Sequence, residues 1–109
     1  MPWSIKLYES KRGEKPVEAF IKSCEPQTIA KITHQIDLLE QHGPFLGMPH
    51  SKRLAPNLYE LRIRGKQEIR IIYVFVSKNI HLIHAFKKQT QKTPHQEIQT
   101  ALKRFEVLT

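Results

Sequence analysis

Through the middle of the chain apolar residues fall at every second position. In residues 58–88, β-branched and aromatic side chains dominate three pieces, which are separated by Gly65-Lys66 and by Ser77-Lys78-Asn79. This pattern predicts three consecutive antiparallel strands. In the middle one Ile69, Ile71, Tyr73 and Phe75 share one side of the pleat. Glu68, Arg70, Ile72, Val74 and Val76 share the other, because successive side chains alternate. The preceding strand sorts Tyr59, Leu61 and Ile63 from Glu60, Arg62 and Arg64. Matching apolar to apolar, for instance Leu61 with Ile69 across Arg64-Gly65-Lys66, puts Arg62, Arg64 and Arg70 on one side. In that register Glu60 faces Arg70 and Arg62 faces Glu68. The same residues could therefore make a salt-bridged solvent face or a phosphate-binding one.

Elsewhere the period changes. Trp3, Ile5 and Leu7 alternate as a short first strand that Lys11-Arg12-Gly13 ends. Pro16 suits the first turn of a helix with Val17, Phe20, Ile21 and Cys24 on one face, which makes Cys24 a small core residue. Beyond Glu25-Pro26, a stripe of Ile29, Ile32, Ile36 and Leu39 predicts a longer helix stopped by Gly43-Pro44. His34 and His42 lie off that stripe and have no third ligand at metal-binding spacing. Residues 43–57 read as the longest loop, with Lys52 and Arg53 beside the sheet. Thr93 reads as an N-cap, Pro94 as the first helical residue and Gln96 as the partner in a capping box. Ile98, Ala101, Leu102 and Phe105 then stripe a final helix. The expected fold is α+β, in the order β-α-α-β-β-β-α with an antiparallel sheet, as a single domain over residues 1–109.

Charge adds a direction to this picture. The net charge is +8, and residues 1–49 are balanced. Residues 50–109 hold twelve Lys or Arg against four Glu, so the whole excess accompanies the sheet. A basic half beside a neutral half points to a polyanion, most often nucleic acid. One cysteine excludes an internal disulfide, and no apolar run is long enough to span a membrane. The start, Met-Pro-Trp-Ser-Ile-Lys, does not read as a signal peptide, so a cytoplasmic location is the simplest expectation.

The segments Leu58-Tyr-Glu-Leu-Arg62, Arg70-Ile-Ile-Tyr73, His84-Ala-Phe-Lys-Lys88 and Thr93-Pro94 occur in this order along nearly the whole chain. With the element order, they make it resemble a RelE-superfamily toxin, most closely the HigB-like, phage-derived branch. The resemblance implies a RelE-like fold and the toxin of a type II toxin–antitoxin pair, an endoribonuclease that cuts mRNA in the ribosomal A site. It also implies a cognate helix-turn-helix antitoxin through which operator DNA is contacted, and no cofactor or metal. Carried over by position, the family's functional basic residues fall on Arg62, Arg70, Lys87 and Lys88. Lys52, Arg53, Arg64, Lys66 and Lys92 are the further RNA-binding candidates. Relatives with a tyrosine or histidine at the start of the last helix differ from this chain, where His95 is the candidate replacement.

Metal-free cleavage by the 2′-hydroxyl needs a base, a group that stabilises the charged phosphate, and an acid for the leaving oxygen. Arg70 suits the second role, since a guanidinium stays charged and can hold two phosphate oxygens. His95, His84 and Glu60 are the candidate bases. Whether Lys87 or Lys88 faces Arg70 depends on the Ser77-Lys78-Asn79 turn: by parity a three-residue loop selects Lys88 and a two-residue loop Lys87. Two other functions fit the same sequence: a ParE-like inhibitor of DNA gyrase, and a non-catalytic nucleic-acid-binding co-repressor.

Overall fold

The structure, a computed structural model, describes residues 2–108. In chain order the elements are β1 (Ser4–Leu7), α1 (Pro16–Lys22), α2 (Pro26–His42), β2 (Ser51–Ala55), β3 (Leu58–Ile63), β4 (Ile69–Val76), β5 (Asn79–Lys87) and α3 (His95–Leu108). A short 3₁₀ turn, Gly43–Phe45, follows α2. The five strands form one sheet in the order β1-β5-β4-β3-β2.

Both faces of the sheet are covered, and alternation along the strands sorts the side chains between them. Ile69, Ile71 and Tyr73 of β4 join Leu61, Ile63 and Leu82 in a core closed by Val17, Ile32 and Leu39 of α1 and α2. On the other face Ile72, Val74 and Phe86 pack against Ala101, Ile98 and Phe105 of α3. A strand with two buried faces needs apolar residues on both, which is why β4 reads as a nearly continuous apolar run. Arg70 is its one charged residue, and it is 1% exposed.

The architecture differs from the sequence expectation in three ways. First, residues 51–55 are an edge strand and not loop, paired antiparallel with β3. Ser-Lys-Arg-Leu-Ala has too few apolar residues to advertise a strand, but an edge strand with charges toward solvent needs few. The connection is the two residues Pro56 and Asn57, with Asn57 in left-handed backbone (φ 53°). The Asn57 amide completes the ladder: Nδ2 donates to the Phe75 carbonyl at 2.9 Å and the Phe75 N–H donates to Oδ1 at 3.0 Å.

Second, the sheet is mixed. β1 runs parallel to β5, with Ile5 opposite Ile80, while every other pair is antiparallel. Third, the β3–β4 register is two residues away from the expected one. Leu61 pairs with Ile71 and Arg62 with Arg70, leaving residues 64–68 as the connection. The parity is kept, so each side chain stays on its expected face, but the cross-strand charge pairs change.

The β4–β5 hairpin settles the lysine question. Its turn is the two residues Ser77 and Lys78, with Ser77 at φ 57°. Tyr73 pairs with Leu82 and Ile72 with His84, so Ile83 is an extra, unopposed residue. Such a bulge reverses the parity beyond it. Arg70 pairs with Phe86, and Lys88 therefore falls on the side of Arg70 while Lys87 falls on the other.

Candidate nucleic-acid interface

α3 covers only part of its face of the sheet. Past its N-terminus the apolar row Val74, Ile72 and Phe86 gives way to Glu60, Arg62, Arg70 and Lys88. The cluster rests on the central strand and its two neighbours, so its groups are held by ladders on both sides.

Arg62 and Arg70 are directly opposite each other on adjacent strands, an arrangement that repels unless something offsets it. Glu60 does so. Its Oε1 lies 3.6 Å from Arg62 Nε and 3.5 Å from Arg70 Nε, and its side chain is 1% exposed. Glu60 Oε2 accepts a hydrogen bond from the Thr93 hydroxyl at 2.5 Å. Thr93 therefore ties the start of α3 to the charged cluster, in place of the capping-box role expected for it. α3 begins at His95, one residue later than Pro94 would start it.

The outward side of Arg70 is occupied. Its Nη2 donates to Glu68 Oε2 at 2.7 Å and its Nη1 to the carbonyl of the adjacent Ile69 at 3.1 Å. The Arg70 guanidinium bonded to Glu68, with Arg64 at 3.7 Å, holds the Glu68 carboxyl below the usual carboxylate range. Lys88, whose N–H donates to the Glu68 carbonyl at 2.8 Å, is pushed down from the usual lysine value, first by burial and then by Arg70. The Nε groups of Arg62 and Arg70 are buried with no hydrogen-bond acceptor among the described residues. Buried donors left in that state are uncommon in folded proteins.

Two adjoining grooves open over this cluster and meet at Lys88 and Gln91. The larger, about 580 Å³, is lined by Arg62, Arg64, Glu68 and Arg70. The smaller, about 270 Å³, is lined by Lys52, Arg53 and Lys92 above the buried Glu60. Of the residues expected from the sequence, Arg62, Arg64, Arg70, Lys88, Lys52, Arg53 and Lys92 thus converge. Three do not. Lys87 is exposed on the opposite side of β5. Lys66 borders a separate crevice beside Lys31 and Gly65. His95 is exposed in the first turn of α3, its Nε2 3.2 Å from Gln99 Nε2, and lines neither groove.

The remaining candidates have structural partners. Arg104 Nη1, which can only donate, approaches His84 Nδ1 at 3.1 Å, so the proton is on Nε2, which donates to Glu97 Oε1 at 3.0 Å. Burial holds His84 below the usual histidine value. It fastens α3 to β5 as a neutral ring. Tyr73 is buried in the opposite core against Ser51, and burial pushes its hydroxyl up to about 12. Thr93 and Glu68 were the participants that sequence reasoning gave no site role. The Thr93-Pro94 segment did point to the first, but as a cap. No group of three or more His, Cys, Asp or Glu that could hold a metal occurs among the described residues, and none of their helices is long and apolar enough to cross a membrane.

Fold and site together define a class: a small α+β protein with a mixed five-stranded sheet and an arginine-rich groove suited to anions. The family described as phage-derived protein Gp49-like (DUF891) matches residues 19–106, and the chain belongs to that family. It is a RelE/ParE-like toxin family of toxin–antitoxin systems, and it implies an antitoxin partner. No curated protein matches the chain.

Proposed function

We propose that the protein is a toxin of the HigB-like branch, a ribosome-dependent mRNA endoribonuclease. The observation that carries this reading is the convergence of Arg62, Arg70 and Lys88, from three neighbouring strands, on one open groove with further cations along it. Single-stranded RNA needs such a track for its phosphates, and cleavage needs charge stabilisation at one of them.

The chemistry divides among these side chains. Arg70 and Arg62 stabilise the charge that builds on the phosphate as the 2′-hydroxyl attacks it and passes its proton to water, from positions already fixed by Glu60 and the sheet. Lys88 gives up a proton more readily than an ordinary lysine, which suits it to protonate the departing 5′-oxygen. Glu60 positions both guanidinium groups and Thr93. The ribosome would present the RNA strand, and its 2′-hydroxyl, in line for attack.

The test is expression of the chain without its partner, followed by mapping of mRNA 5′ ends. The expected result is growth arrest with new 5′-hydroxyl ends inside translated frames, abolished by Lys88→Ala. Growth arrest with intact mRNA and induced DNA damage would instead support gyrase inhibition and contradict this reading.

A further inference from the structure

A third groove, of about 460 Å³, lies between α2 and the end of β3, past the point where β2 stops covering that strand. Its floor is the buried Ile63, walled by Ala30 and Pro49, and His34, Gln35 and His50 complete the lining between the charges. Its rim is cationic: Lys31, Arg62 and Arg64, with no Asp or Glu in the lining. Beside it Met48 is 63% exposed, and its sulfur is 3.5 Å from Arg62 Nη1. Phe45, on the same α2–β2 connection, is 89% exposed. A large apolar side chain such as Met48, left in water next to an apolar groove, marks a surface that a partner covers.

From this we infer that the groove is the docking site for an acidic amphipathic segment of the protein partner. Charge complementarity selects the occupant: an aliphatic side chain fills the floor while carboxylates meet Lys31, Arg62 and Arg64. A nucleotide is a poorer fit, because the exposed lining is mostly apolar and, apart from His34, Gln35 and His50, offers few partners for polar base edges and sugar hydroxyls. Arg62 and Arg64 also line the larger anion groove, so the docked segment takes two cations away from it. The partner would thus compete with RNA without entering the cleavage site, a consequence that rests on the function proposed above.

The full chain is titrated with two synthetic helical peptides of the same Leu pattern, one with Glu and one with Lys at the polar positions. A labelled single-stranded RNA oligonucleotide serves as competitor. The Glu peptide should bind and displace the RNA, and the Lys peptide should not. Ala30→Trp, which fills the groove, and Lys31→Glu, at an exposed rim position, should each weaken the Glu peptide about tenfold or more. Ala30→Trp should leave RNA affinity unchanged. Equal binding of the Glu peptide to wild type and both variants overturns the inference, as does an Ala30→Trp protein that loses RNA and keeps the peptide. If wild type binds no free RNA, the claimed competition between partner and RNA fails, and the peptide titrations still decide the groove.

Discussion

Glu60 organises the site and Glu68 caps it. The buried Glu60 carboxylate lets two guanidinium groups stand opposite each other on neighbouring strands, at a cost in desolvation that no apolar strand pair would incur. Replacing Glu60 by Ala would leave Arg62 and Arg70 repelling each other in a buried setting. The expected loss is about 3 kcal/mol or more of unfolding free energy, read by urea denaturation. An unchanged midpoint would show that the carboxylate does not hold the pair together. Glu68 is different: it is 38% exposed, sits in the β3–β4 connection, and occupies the Arg70 group that a phosphate would use. Glu68→Gln removes that charge competition, so affinity for a single-stranded RNA oligonucleotide should rise roughly fivefold, the equivalent of about 1 kcal/mol. Weaker binding by the variant would mean that Glu68 is part of the ligand site and not a competitor for it.

The elements deliver these residues through details of backbone geometry that residue patterns only partly disclose. Alternation along β3 and β4 was enough to put Arg62, Arg64 and Arg70 on one side, because parity survives a two-residue register change. It could not find the register itself, since Ile69 and Ile71 are equally apolar partners for Leu61. Nor could it decide between Lys87 and Lys88, because the unopposed Ile83 leaves no mark in a run where every neighbour suits a strand. β2 was hidden by its charges, although Pro56-Asn57 between two extended segments is a recognisable two-residue turn. His84 illustrates a histidine whose role is fastening one element to another. Its neutral ring bridges Arg104 and Glu97 of α3, and its proton affinity is lowered in the fold. The unfolded chain therefore takes up the proton first. The stability contributed is fully present above the ordinary histidine value of 6.5 and is lost as pH falls below it toward the lowered folded value. Melting temperature measured from pH 7.5 to 5 should fall more steeply for wild type than for His84→Gln. His81, also lowered by burial, contributes in the same direction to both proteins, so parallel curves would remove His84 from the account.

At the scale of the whole molecule, seven of the twelve cations of residues 50–109, Lys52, Arg53, Arg62, Arg64, Arg70, Lys88 and Lys92, are gathered over one region of the sheet. The balanced first half supplies the helices that cover the other face. RNA binding should then depend steeply on salt. With three phosphates engaged by Arg62, Arg70 and Lys88, the slope of log affinity against log salt should be about −2, since each single-strand contact contributes about −0.7. A slope near zero would mean that the cations do not meet phosphates.

Lys87 and Lys88 are adjacent in sequence and alike in chemistry; alternation sends them to opposite sides of the sheet, and one extra residue decides which of them joins Arg70. Cleavage of mRNA on purified ribosomes by the Lys87→Ala and Lys88→Ala proteins therefore isolates the geometry from the overall charge. The account predicts that Lys88→Ala slows cleavage about 100-fold or more while Lys87→Ala stays close to wild type. Equal losses, or a loss confined to Lys87→Ala, would contradict it.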